Sequence, residues 1–566
     1  MLTPLLRWLD APSWPYRLPA WAAFALCLLF AALPRRSAGL GRHGHSPAIF
    51  AALLFGLLLS FRWPGLAADV QWLNPDESQM LSGAITYRHF GSLWGHVDGM
   101  SSGPLVSLPL VVPALLGLPI DYTTGRFMGL VLEWCTLVFL WLTLRHALGD
   151  RTARLLILPA ACVLAFSTYP EFVQYSSEQA PLAYCTLALW LVVTAFTAGG
   201  KIASSARLAG AGVVLGLLVV AKLQLLPLGA VLGVTALTWC LVPGAGDRDA
   251  RVRAAACLLG GLAAAWTGLL LSLWWSGELR DFWLTHLLSN FHYSLQRDYP
   301  WSSFPGALFL LGEQDPAFVA FAGPALLLLG GMGAWALLGP EVRRLAVLAA
   351  ALFVASVYAV IAPGRLFPHY LLITVPFAAL LLACLYGGLM HATRLSRGVR
   401  AVLAGIFLAA GIVPQVWTRV TAPNPLVGRG HHARGLVRHE LAEFVRGFAR
   451  PGDTMAIWGW MPRHYVETGL PQATREAHTQ RDITPHFLGT YLLHRYLDDL
   501  RRNRPAVFLD AVGPCRFIYQ DRATQAHEIH PALRQFIVEN YNQVAELEGT
   551  RVYFRRDRLP SGPTGP

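Results

Sequence analysis

The feature that most limits this fold is the length of its apolar blocks. They run to roughly 17–22 residues, the number a helix needs to cross a hydrocarbon core about 30 Å thick. Their spacing predicts spans at about 18–34, 47–63, 122–146, 152–168, 182–198, 208–222, 225–242, 255–276, 317–338, 345–362, 371–390 and 401–418. The stretch 208–242 reads as one broken helix or as two. It is this block length, not the short alternating pattern of a transmembrane barrel, that repeats. Charge agrees: Asp, Glu, Lys and Arg make up 14% of the chain, where a soluble domain carries about 25%. The sequence therefore predicts a polytopic α-helical membrane protein of about 12 spans.

Lys and Arg set the orientation, because short cytoplasmic loops collect them. Arg35, Arg36 and Arg42 share one loop, and Arg145, Arg151 and Arg154 flank another. Lys201 with Arg207, then Arg248, Arg251 and Arg253, then Arg343 and Arg344, then Arg394, Arg397 and Arg400 continue the series. These loops alternate with loops poor in cations, which puts both termini and the acidic loops outside. The first block starts late and is followed by Arg35 and Arg36, so it reads as a retained span. The net charge of +12 is thus a topology signal, and no nucleic-acid partner is expected. Of the 8 cysteines, all but Cys515 fall in or beside apolar runs; there is no CxxC pair, and they read as packed thiols.

Two outer loops are long, about 64–121 and about 277–316. Gly103-Pro104, Pro109, Pro113 and Pro119 punctuate the first, which predicts short helical pieces along a membrane surface. The second carries His286, His292, Gln296 and Asp298. After Trp417 the composition turns polar, and residues 419–566 predict a small α/β domain. Strands are expected in PGDTMAIWGW (451–460), NRPAVFLDAVG (503–513) and TRVYFRRD (550–557), and a helix in PALRQFIVENY (531–541). The tail LPSGPTGP reads as disordered.

Asp76 and Glu77 stand side by side just past the second block, at the start of the helix-like run NPDESQMLSGAITYRHF. Asn74 or Asp76 can cap that run, and acidic groups suit the positive end of a helix dipole. A helix start therefore explains the pair. The chemical alternative is a base or a metal ligand beside the bilayer. Arg126 opens a span, Lys222 closes one, and Arg365 and His369 precede another, all on the outer side by the charge pattern. Such groups anchor helix ends by snorkelling. Several on one face, opposite a carboxylate pair, also suit a phosphate at the membrane surface. His43, His45, His431 and His432 have ligand chemistry but read as solvated loop residues. Trp72, Trp94, Trp301 and Tyr293 suit sugar stacking or, more commonly, an interfacial aromatic belt.

The order and placement of these pieces resemble the GT-C glycosyltransferases, in the bacterial branch related to protein O-mannosyltransferases and lipid A aminoarabinose transferases. The resemblance runs from about Ala51 to Met390. It rests on Pro75-Asp76-Glu77, GPLVSLPLVVPALLG before TTGRF, SSEQAPLAYCTLALWLV (176–192) and GRLFPHYLLITVPFAALLLA (364–383). AIWGWMPRHYVETGL resembles the soluble tails of some bacterial members. The resemblance implies a GT-C-like catalytic domain at 1–418 and an extracytoplasmic α/β domain at 419–566. It implies inverting transfer of a sugar from a polyprenyl-phosphate-linked donor to a lipid, glycan or protein acceptor, at the outer face of a bacterial inner membrane.

On that resemblance, Asp76 or Glu77 matches the catalytic carboxylate, and Glu178 a second acidic position for acceptor or metal. Arg365, His369, Lys222 and Arg126 match cations around the lipid phosphate. A divalent cation, magnesium or manganese, is the one cofactor it admits, although no dedicated metal cluster is apparent. The rivals are a lipid-linked glycan polymerase or ligase, which carries its large outer loop late, and a transporter, which calls for mid-membrane charges and related halves.

Overall fold

A computed structural model describes residues 14–33, 47–67, 74–167, 169–197, 199–296, 338–365, 367–391, 395–421, 439–514 and 518–559, with isolated positions between 300 and 335. Most of the expected span at 317–338 lies outside the described residues, as do Arg35, Arg36, Arg42, His43, His45, Trp72, Asp298, Trp301, Arg394, His431, His432, Cys515 and the C-terminal tail. The chain packs as two units. The first comprises Met1–Asp69, Arg126–Ser272 and His292–Gly435, and the second Val70–Gly125, Leu273–Phe291 and Leu436–Pro566.

The first unit is helical. Among the described residues, six helices are long and apolar enough to cross a membrane: Tyr122–Leu148, Leu223–Leu241, Arg248–Trp275, Val342–Ile361, Pro368–Met390 and Arg397–Val420. Arg17–Ala32, Pro47–Trp63, Gln179–Thr194 and Ser205–Ala221 are apolar but shorter. The stretch at 208–242 resolves into two helices, Ser205–Ala221 and Leu226–Leu241. Lys222 sits at the break in extended backbone, φ −159° and ψ 118°. Ser205–Ala221 crosses Arg248–Trp275 through glycines. A Cβ on Gly212 would meet Leu258 O at 2.1 Å, and one on Gly261 would meet Ala209 O at 2.1 Å. Small residues permit such backbone contact, which suits helices with no hydrophobic effect to drive them together in lipid. The core of this unit is a continuous set of Leu, Ala and Phe side chains from helices that include Pro47–Ala67, Asp150–Phe166 and Val375–His391. Among the described residues, seven cysteines are free thiols.

The second unit is built on a four-stranded sheet: β1 Met455–Trp458, β2 Val507–Asp510, β3 Tyr541–Leu547 and β4 Thr550–Arg555, in the order β1-β2-β4-β3. β1 and β2 are parallel, and β2/β4 and β3/β4 antiparallel. Three strands and the Pro531–Asn540 helix fall where the sequence places them. β3 is an addition: its Asn, Gln and Glu residues carry no apolar alternation, and β4 recruits it through a tight turn. Glu548 and Gly549 both take positive φ there, 51° and 72°, as a two-residue hairpin of the primed type requires. The helical part of this unit includes the Pro75–Phe90 helix, the short pieces Pro104–Val106, Leu108–Val111 and Val112–Leu115, and the helices Glu440–Phe448, Arg463–Thr468 and Gly489–Asn503.

Candidate active site

The first unit gathers several of its charges at helix ends and breaks. Glu178, fully buried, precedes the Gln179–Thr194 helix, where Leu182 N–H donates to its carbonyl at 3.0 Å. Because the chain is extended at Lys222, its ammonium reaches Glu178 Oε1 and donates to Ser177 Oγ at 2.5 Å. The same Nζ lies 5.0 Å from the centre of the Tyr370 ring, a cation–π distance. His369 continues the chain of charges. Its Nδ1 lies 2.8 Å from Glu171 Oε2, its backbone N–H donates to that oxygen at 3.1 Å, and its Nε2 is 4.0 Å from Glu178 Oε1. Lys222 and His369 thus each have a carboxylate beside them.

Behind this cluster lies an ion pair that the sequence reading did not single out. Arg62 Nη1 meets Glu133 Oε2 at 2.7 Å, with both side chains buried. Arg62 Nε also donates to Leu164 O at 2.7 Å. Gln179 connects the pair to the loop that carries Glu178. Its Nε2 donates to Glu133 Oε1 at 2.9 Å and to Gln174 O at 3.2 Å, and its Oε1 accepts from Ser176 N–H at 3.0 Å. Gly129 leaves room for it, since a Cβ there would meet Gln179 Oε1 at 2.6 Å. The available signal was Glu133 itself, a lone acid inside an apolar run. Glu171 and Ser177 were also missed as site residues.

Of the remaining cations, Arg126 is buried in the first turn of the Tyr122–Leu148 helix. Arg365 donates to Gln296 O at 3.0 Å and lies over Tyr293, 4.9 Å from its ring centre. Trp94 is not a sugar platform. It is buried within the second unit, edge-on to Phe282 at 5.2 Å.

Asp76 and Glu77 belong to the second unit and differ in setting. They open the Pro75–Phe90 helix, whose cap is Asn74: its Oδ1 accepts from Asp76 N–H at 2.8 Å. Ser78 Oγ donates to Asn74 O at 2.8 Å and lies 2.8 Å from Tyr122 OH. The cap rigidifies the first turn, with Asp76 exposed and Glu77 wholly buried. Adjacent positions on a helix face about 100° apart, so one turn offers one carboxylate to solvent and one to the interior.

The second unit also holds a large buried charge network. Arg481 Nη2 meets Asp98 Oδ2 at 2.8 Å and Glu476 Oε1 at 2.5 Å. Arg495 meets Asp98 at 2.8 Å, Asp281 at 2.8 Å and Glu476 at 2.7 Å. Arg475 meets Asp281 at 2.7 Å, and Tyr491 O–H donates to Asp281 Oδ1 at 2.9 Å. Burial pushes the Asp98 carboxyl up, but Arg481 and Arg495 outweigh it and hold it well below the usual carboxylate range. Burial and the charge of Glu476 push Asp482 well above that range.

A divalent cation needs carboxylate or imidazole ligands from residues held close together. Among those described, Asp510, His527 and Glu528 place ligand atoms within 4.8 Å of one another. Arg551 is bonded to Asp510 Oδ2 and, at 2.8 Å, to Glu528 Oε2. The group already has its cation and does not suit a divalent ion.

No protein-family model and no curated protein matches this chain. Solved structures do. ArnT from Cupriavidus metallidurans, bound to undecaprenyl phosphate, matches over 92% of this chain and 100% of its own, with a TM-score of 0.55 at 14% identity. The same protein in the apo state gives a TM-score of 0.54 over the same shares. This chain shares the fold of ArnT. The archaeal oligosaccharyltransferase AglB from Archaeoglobus fulgidus, in complex with an inhibitory peptide and a dolichol-phosphate, aligns over 82% of this chain and 69% of its own at a TM-score of 0.40 and 12% identity. At that level it adds nothing to the argument. The fold expected from the resemblance is therefore present, carried by a match along the full length of ArnT.

Proposed function

We propose that the protein is a membrane glycosyltransferase. It takes a sugar from a polyprenyl-phosphate-linked donor and passes it, with inversion, to a lipid, glycan or protein acceptor at the outer face of a bacterial inner membrane. The observation that carries this reading is the end-to-end match to ArnT, a protein solved with undecaprenyl phosphate. The twelve spans, the outward orientation of the acidic loops and an extracytoplasmic α/β domain at 419–566 are parts of the same proposal.

Asp76 is the general base in this reading, because it is exposed on a capped first turn while Glu77 is buried. Its carboxylate takes the proton of the acceptor hydroxyl. The acceptor oxygen forms a bond to the anomeric carbon, and the bond from that carbon to the phosphate oxygen breaks, with its electron pair leaving on the lipid phosphate. Lys222, His369, Arg365 and Arg126 are the cations assigned to that developing charge, which preplaced donors stabilise without reorganising. Glu178 holds Lys222 in place between turnovers.

The test is transfer from radiolabelled polyprenyl-phosphate sugars to a crude envelope acceptor, with and without chelator. Asp76→Asn is expected to lower transfer about 10²–10⁴-fold, the usual contribution of a general base, with the fold intact. Glu77→Gln is expected to act mainly on stability. Full activity in Asp76→Asn would overturn the assignment, and loss of transfer on chelation would add a metal that these residues do not reveal.

A further inference from the structure

The second unit contains a cavity of about 1090 Å³ between the Pro531–Asn540 helix and strands β3 and β4. That is just above the size range of small-molecule sites, roughly 300–1,000 Å³. Its charges are unevenly matched. Arg551 is taken by Asp510 and Glu528, and Arg522 by Glu546 at 2.7 Å. The guanidinium of Arg534, also in the lining, has no partner among the described residues. Arg556 donates to the carbonyls of Tyr541 and Val538, at 3.4 and 2.8 Å, with no carboxylate beside it among the described residues. The one lining carboxylate, Glu528, already holds Arg551, so the uncompensated charge is positive.

Further polar groups stand beside those cations. His527 is buried, its Nδ1 held by Asp510 Oδ2 at 2.6 Å, and its Nε2 has no partner among the described residues. The Tyr553 hydroxyl likewise has none. Burial pushes that phenol up to about 12, so it stays a donor at neutral pH. Asn542 and Gln543 add exposed amides, and Val538 and Val544 are exposed apolar groups on the same wall. Amides and hydroxyls suit sugar hydroxyls, apolar patches suit the C–H faces of a sugar ring, and unmatched guanidinium suits carboxylate or phosphate.

We propose that this cavity binds an anionic saccharide, one bearing a carboxylate or phosphate, at a site separate from the residues assigned to sugar transfer. β3 is an edge strand, which raises a peptide strand as the other occupant. The register shift between Gln543 and Ala545 interrupts that edge, and such a bulge disfavours strand addition.

The experiment uses the full chain in nanodiscs, with binding of digalacturonate, maltose and inorganic phosphate measured by calorimetry. Digalacturonate is expected to bind at least about tenfold tighter than maltose or phosphate, and Arg534→Gln to remove that difference, about 1.4 kcal/mol. Arg534 is exposed with no side-chain partner among the described residues, so the variant should melt like wild type. Tyr553→Phe, which keeps the ring, is the second variant and is expected to weaken digalacturonate several-fold. Vesicles carrying a uronic-acid glycolipid separate the two sources of the ligand. Binding of the soluble sugar supports a free saccharide, and binding to the vesicles alone supports a lipid-borne one. Equal binding of maltose, phosphate binding as tight as digalacturonate (an adventitious anion only), preference for an extended peptide, or an unchanged Arg534→Gln each overturns the proposal.

Discussion

The two units place their ionisable groups by opposite rules. In the first, buried charges are few and sit in short chains at helix ends: Lys222 with Glu178, His369 with Glu171, Arg62 with Glu133. In the second, three arginines and several acids form one mesh that joins chain segments far apart in sequence, from Asp98 through Asp281 to Arg495. A sparse pair can exchange one partner for a ligand, because only one contact must be replaced. A mesh cannot, since each arginine serves two or three acids and removing one leaves the others buried and unmatched. The contrast teaches where to seek chemistry in such a chain: at the paired charges, with the mesh as the support.

The largest effect expected is on the mesh. Arg495→Met leaves Asp98, Asp281 and Glu476 short of a cation, and loss of one partner from a buried ion pair costs about 3–5 kcal/mol. Chemical unfolding followed by the tryptophans of the second unit would read it; a change under about 1 kcal/mol, typical of exposed pairs, would erase the contrast. Next comes Lys222→Met, which should cut transfer about 10²–10³-fold, the scale of losing one preorganised charge-stabilising group. It should also destabilise the first unit by leaving Glu178 alone. The double variant Lys222→Met/Glu178→Leu is expected to regain stability without transfer. Recovery of both would make the pair structural, like the mesh.

The smallest effect is a pH dependence. Burial, then the charge of Arg481, pushes His478 down to about 3, whereas an unfolded histidine titrates near 6.5. The unfolded chain therefore takes up the proton first as pH falls. The stability contributed by His478 is intact above about 6.5 and is lost progressively toward about 3. Melting at pH 7.5 and pH 5 should show a larger drop for wild type than for His478→Gln. Equal drops would mean that the ring is not held neutral by the fold.

Much of the first unit was readable because hydrophobic block length is a local property: most of the described helices fall close to the expected spans, although the one expected at 255–276 already starts at Arg248. The break at Lys222 was readable only as a doubt, since Lys-Leu-Gln between two apolar runs does not say whether a helix bends or stops. In the second unit, β1, β2 and β4 announced themselves by apolar runs, and the start at Asp76 by its cap and proline. β3 did not, because a polar strand is defined by its neighbour. The mesh was invisible for a similar reason: Asp98, Asp281 and Arg495 carry no shared motif, and only the fold makes them adjacent. Nothing in the sequence around Glu171 points to His369, 198 residues away.

The mesh also sets a timetable for the chain. Asp98 and its partner Arg481 are 383 residues apart, so at about 5–20 residues per second the acid leaves the ribosome about 20–80 s before the arginine that neutralises it. For that interval the early loop cannot complete its native contacts, whatever the state of the helices made in between. A chain truncated after the last helix of the first unit never receives Arg481 or Arg495. A fragment consisting of the polar C-terminal region alone has the arginines without Asp98 or Asp281. Neither half should be expected to behave as a small stable protein, and the unit becomes complete only when synthesis nears its end.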